Sequence, residues 1–115
     1  MANEGVRWVA HYRYSVMWSP EDEAYVATVA EFASLSWIAD SKAEALSGLE
    51  AMLEDVVADL VANGEEIPQP FAERRYSGNL KVRVSPEVHR NVAIAAAEQH
   101  VSINRYLSER LASTT

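Results

Sequence analysis

Three polar side chains alternate with three apolar ones between residues 79 and 84: Asn79, Lys81 and Arg83 against Leu80, Val82 and Val84. Successive side chains of a β-strand point to opposite faces, so this spacing gathers an amide and two cations on one side. Lys and Arg are donors matched to the O6 and N7 acceptors that guanine presents in the DNA major groove. Further on, Ser102, Ile103 and Asn104 stand where a last helix should begin. The free N–H groups and positive dipole end of a helix start suit a backbone phosphate. The plainer role of Lys81 and Arg83 is a solvated strand face, where charge blocks aggregation.

Other chemistries are poorly supplied. A two-metal nuclease needs clustered carboxylates, commonly including one on a first strand, and HYRYSVMW (11–18) has none. Glu50, Glu54 and Asp55 are close in sequence but read as the solvated face of a helix. His11, His89 and His100 lack the i, i+4 spacing of a metal pair. No nucleophile elbow, phosphate loop or paired-glycine fingerprint occurs. The expectation is a protein that is not an enzyme, with no catalytic residue, no metal and no cofactor. The absence of cysteine excludes disulfides and fits a reducing compartment. No stretch approaches a membrane span, so no membrane partner and a cytoplasmic location are expected.

The elements that would position these residues follow from pattern. HYRYSVMW alternates, SPEDE (19–23) is a polar turn, and AYVATVA (24–30) completes a hairpin. SLSWIA (34–39) reads as a third strand. Ser41 and Glu44 form a capping box before a long helix, and Leu46, Leu49, Leu53, Val56, Val57 and Leu60 make its apolar stripe. Asn63-Gly64 ends it. That helix is long enough to cover one face of a three-stranded antiparallel sheet. Prolines in EEIPQP (65–70) break regular structure. After the strand at 79–84, Ser85-Pro86-Glu87 opens a helix ending near His100, and Ser102 caps another. Val88, Val92, Ile103 and Leu107 read as core.

Charge divides the chain at the same place. Residues 1–70 hold three cations against thirteen carboxylates, a formal −10; residues 71–115 hold seven against four, a formal +3. An acidic surface attracts basic proteins and a basic one attracts polyanions. A lone six-residue strand is unstable, and 79–84 has no partner within 79–115. The economical solution is pairing with the same strand of a second molecule across a two-fold axis. Leu80, Val82 and Val84 of both copies then form the dimer core, with the cations facing outward together.

NLKVRVSPEVHRNVAIAAAEQHVSINRYLSERLA (79–112) resembles a ribbon-helix-helix domain of the Arc/CopG type. That resemblance implies DNA contacts by Asn79, Lys81, Arg83, Ser102, Ile103 and Asn104. Upstream, YSVMW, AYVATVAEF, the helix start at 40–46 and GEEIPQP resemble the N-terminal domain of HicB antitoxins, which has a partial ribonuclease-H-like fold. Together the resemblances imply an α+β chain: a three-stranded antiparallel sheet with one long helix, followed by a ribbon-helix-helix dimerisation and DNA-binding domain. The expected divisions are 8–67 for toxin binding, 68–78 as linker and 79–112 for operator DNA. The implied function is an antitoxin that neutralises a HicA-type mRNA-cleaving ribonuclease and represses its own operon. Glu21, Asp22 and Glu23 are candidate toxin contacts. Self-association is expected as a ribbon dimer or a tetramer of paired dimers. The alternative is a solitary ribbon-helix-helix regulator whose N-terminal domain binds another protein or oligomerises.

Overall fold

The computed structural model describes residues 2–114, without the side chains at 2–4 and 6. Ala2–His11 forms helix α1, where no helix is expected from the sequence. Strands β1 (Tyr14–Ser19), β2 (Ala24–Val29) and β3 (Ser36–Ala39) follow, then helix α2 (Lys42–Ala62). The strands pair antiparallel in the order β1-β2-β3, as the hairpin pattern requires. The first strand begins at Tyr14 rather than His11, because α1 takes His11. The third strand is shorter than SLSWIA: Leu35 N–H is already used in a turn to the Phe32 carbonyl.

Register fixes the faces. Tyr14 lies opposite Val29, Val16 opposite Ala27, and Ala27 opposite Trp37. These residues line the side covered by α2, whose Ala45, Leu49, Leu53 and Val57 are buried. Val9 of α1 and Tyr12 complete the same core. Two glycines permit the close packing. A Cβ on Gly48 would stand 2.1 Å from Trp37 Nε1, and one on Gly5 would stand 2.7 Å from Ile67 Cδ1 and 2.9 Å from Val57 Cγ1. Trp18 shares the covered side but stays 52% exposed at its margin, edge-on to Tyr25.

Helix α2 starts where the capping box places it: Ser41 Oγ accepts from Glu44 N–H at 3.1 Å, and also donates to Glu44 Oε1. It ends in a Schellman motif, with Glu65 N–H on the Leu60 carbonyl and Gly64 N–H on the Val61 carbonyl. Beyond it, residues 67–74 are tied to the sheet side of the same unit. Tyr12 OH donates to the Pro68 carbonyl at 2.8 Å. Glu31 accepts from two backbone N–H groups, Arg13 and Phe71, each at 2.9 Å. His11 Nδ1 pairs with Glu73.

The chain divides into two compact units, Met1–Tyr76 and Ser77–Thr115. In the second, the strand expected at 79–84 is not formed: these residues carry no regular secondary structure and have no ladder among the described residues. Helix α3 (Pro86–Glu98) follows, with Ser85 Oγ accepting from Val88 N–H and proline in the first turn. Helix α4 (Ile103–Ala112) is capped by Ser102, whose Oγ accepts from Arg105 N–H. The turn between them is a second Schellman motif, with His100 at φ +57°.

Candidate nucleic-acid interface

The second unit packs α3 on α4 but leaves most of its apolar surface open. Ala96 alone among its described residues is a buried apolar residue. Leu80, Val82 and Val84 are 78%, 71% and 53% exposed. Val82 and Val84 line a groove of about 620 Å³ with Val88, Val92, Ile103, Leu107 and Leu111. Two of the three alternating apolar residues, Val82 and Val84, therefore stand beside a trough of branched side chains from both helices. Leu80 does not reach it.

Asn79 and Lys81 are exposed, as are the apolar residues between them. Arg83 is exposed too, but it also borders the groove. Asn79 N–H is held by Ser77 Oγ at 3.0 Å, just after Gly78 turns the chain at φ +83°. At the start of α4 the Ser102 hydroxyl occupies Arg105 N–H. The N–H groups of Ile103 and Asn104 are in the first turn, where a helix offers no carbonyl partner. The Ile103 side chain belongs to the groove, so its contribution to an anion would be its backbone. Arg105 pairs with Glu109 at 3.3 Å and Arg110 sits over the Tyr106 ring.

The acidic candidates lie in the first unit, in the turn joining β1 to β2. Glu21, Asp22 and Glu23 are all exposed. Ser19 Oγ donates to Asp22 Oδ2 at 2.9 Å, and Glu23 adopts φ +48° to close the turn. Arg74 is engaged locally, its guanidinium 3.9 Å from the Phe71 ring centre and its Nε on the Gln69 carbonyl.

Sequence reasoning missed α1, the Glu31 bridge and the phenols beneath it. Tyr12 is pushed up to about 12, chiefly by burial and secondly by the Glu31 carboxylate, with Arg74 opposing. Burial likewise raises Tyr14, whose OH donates to the Val9 carbonyl at 2.6 Å. Among the described residues no group of three His, Asp or Glu is arranged to hold a metal. No helix among them is long and apolar enough to cross a membrane.

Residues 61–111 match the HicB family model. The match supports a relationship to HicB proteins, and its placement is informative. It takes in the end of α2, GEEIPQP, residues 79–84, α3 and nearly all of α4. The sheet, whose YSVMW and AYVATVAEF resemble a HicB N-terminal domain, lies outside it. Neither the curated proteins nor the solved structures yield a match.

Proposed function

We propose that the chain is the antitoxin of a type II toxin–antitoxin pair. Its acidic N-terminal portion, residues 8–67, binds and blocks a HicA-type mRNA-cleaving ribonuclease. Residues 79–112 form a ribbon-helix-helix dimer that represses its operon at a palindromic operator, and 68–78 connect the two. The observation that carries this reading is the unfilled groove of the second unit. A 39-residue unit with one buried apolar residue is too small to be secure alone. A second copy of Asn79–Val84 would supply the missing ladder and lay another Leu80, Val82 and Val84 against the helices. Asn79, Lys81 and Arg83 of both copies would then project from a two-stranded ribbon, a shape that enters the major groove. The HicB match over this region supports the same reading.

The test is titration of the full chain with duplex from its own promoter. Wild type should bind a palindrome as a dimer. Lys81→Ala or Arg83→Ala should cost about 1–3 kcal/mol at particular base pairs if the side chain reads bases. If it meets only phosphate, the salt slope should fall by about one unit with no change in sequence preference. Affinity unchanged in both variants, or a monomer at working concentration, would refute DNA reading by the ribbon. The toxin arm is tested in cells: co-expression should restore growth arrested by a basic ribonuclease encoded beside this gene.

A further inference from the structure

The sheet has one covered side and one bare side. Tyr14, Val16, Tyr25, Ala27, Val29 and Ala39 belong to or pack against the core beneath α2. Their neighbours in sequence must point the other way. Register sorts those neighbours into two rows across all three strands. Met17 lies opposite Val26, and Val26 opposite Ile38; Ser15 lies opposite Thr28, and Thr28 opposite Ser36. One row is wholly apolar and the other wholly hydroxyl. Met17 is 53% and Ile38 51% exposed.

None of these six side chains is charged, although they sit in the part of the chain whose formal charge is −10. Charge is depleted at the centres of protein interfaces, and an open sheet face meant only for solvent has no reason to avoid it. The surrounding acids are also placed asymmetrically. β1 ends, β2 begins and β3 ends at the same edge, so Glu21, Asp22, Glu23 and Asp40 all fall there. The apolar row lies nearer that edge and the hydroxyl row farther from it. Lys42, two residues after Asp40, lies over the Tyr25 ring on the covered side, 5.8 Å from its centre.

We infer that this bare sheet face is the docking surface for a small basic protein. The partner seats an apolar patch on Met17, Val26 and Ile38 and sets Lys or Arg against Glu21, Asp22, Glu23 and Asp40. A second copy of this chain is disfavoured as occupant, because two −10 surfaces repel. Size supports a contact wider than the rows themselves. Three strands at about 4.8 Å and six residues at about 3.4 Å cover roughly 300 Å². A stable partner needs about 800 Å² on each side, so the acidic edge must join the contact. The inference rests on the antitoxin reading and names the surface through which the ribonuclease would be held.

The experiment uses the full chain with labelled methyl groups and a catalytically inactive form of the basic protein encoded by the adjoining gene. Saturation transfer from the partner should reach the Met17, Val26 and Ile38 methyls and spare those of Leu49 and Leu53. Ile38→Glu should weaken the complex about 100-fold and leave operator affinity unchanged. Ile38→Thr, which keeps a β-branched strand residue, should weaken it less. Transfer to the outer side of α2 instead, or Ile38→Glu within twofold of wild type while the partner is still bound, overturns the docking face and leaves the antitoxin reading standing. Concentration-dependent protection of the three methyls without partner would show self-association there and overturn it too. If wild type binds no such protein, the antitoxin reading falls first and this surface falls with it.

Discussion

In the first unit Leu49, Leu53 and Val57 disappear beneath the sheet and α1. In the second, residues of the same kinds, Val82, Val84, Leu107 and Leu111, stay exposed around a groove. Helix α2 of the first unit and α3 and α4 of the second are similarly capped, by a serine hydroxyl on the N–H three residues on. Local chemistry therefore does not separate the two. What separates them is whether the apolar stripe of each helix finds a surface within one chain. α2 finds the sheet; α3 and α4 find each other and little else. Completeness of the core is the property that separates the two: the first unit closes over its apolar residues and the second leaves a groove of them open.

The sharpest way to break that contrast is Val84→Asp. In the proposed dimer a carboxylate in this groove must be desolvated without a partner. Dimerisation and operator binding should be lost together, and the amides of α3 and α4 should lose hydrogen-exchange protection. The amides of α2 should keep theirs. A dimeric Val84→Asp protein with protected α4 amides would remove the groove from the dimer core. Leu53→Ala is the converse change and should destabilise the first unit by about 2–5 kcal/mol. All three tryptophans, Trp8, Trp18 and Trp37, lie in that unit, so their fluorescence reports it selectively. The urea midpoint by fluorescence should fall while the exchange rates of α3 and α4 stay put.

A smaller effect distinguishes the units by pH. Tyr12 OH donates to the Pro68 carbonyl, which only the neutral phenol can do. Its folded pKa of about 12 lies above the ordinary 10. The folded state therefore holds this proton more tightly, and the contribution is complete below pH 10. It is lost as pH climbs from 10 through about 12, and raised Tyr14 acts in the same direction. The first unit should lose stability across that window by fluorescence-detected unfolding. Tyr12→Phe should cost about 1 kcal/mol at neutral pH and make the alkaline decline shallower. An unchanged decline would assign it to other groups.

Legibility in the sequence followed the range of the interaction. The α2 boundaries, the α3 start at Ser85-Pro86 and the β1–β2 hairpin are set by neighbours a few residues apart, and each stands where its pattern places it. Helix α1 was not legible, since its packing depends on Gly5 meeting Val57 and Ile67 across the fold. The Glu31 bridge joins N–H groups at Arg13 and Phe71, and no local spacing announces a carboxylate with two such distant partners. The Trp37 indole lies on the one position of α2 that lacks a side chain, Gly48, a pairing that no local spacing announces. For the candidate interface, the alternation at 79–84 is not reflected in burial, since all six residues are exposed. The groove that brings Val82 and Val84 beside Leu107 and Leu111 is a tertiary feature, visible only once α3 and α4 are folded.

The two Schellman turns offer the finest test, because the same geometry is occupied by different residues. Gly64 and His100 both sit at C′ with positive φ, +68° and +57°. A side chain there costs about 1–2 kcal/mol of backbone strain, against about 0.4–1 kcal/mol for the extra unfolded-state freedom of glycine. The strain is the larger quantity, so glycine should win at both sites by somewhat under 1 kcal/mol. A Cβ at Gly64 meets nothing within 4 Å, which leaves backbone strain as the whole cost of Gly64→Ala. That variant should lower the fluorescence midpoint of the first unit alone. His100→Gly should raise the exchange protection of α3 and α4 alone. Should His100→Gly instead destabilise the second unit, the imidazole must be making a favourable contact worth more than the backbone strain it imposes.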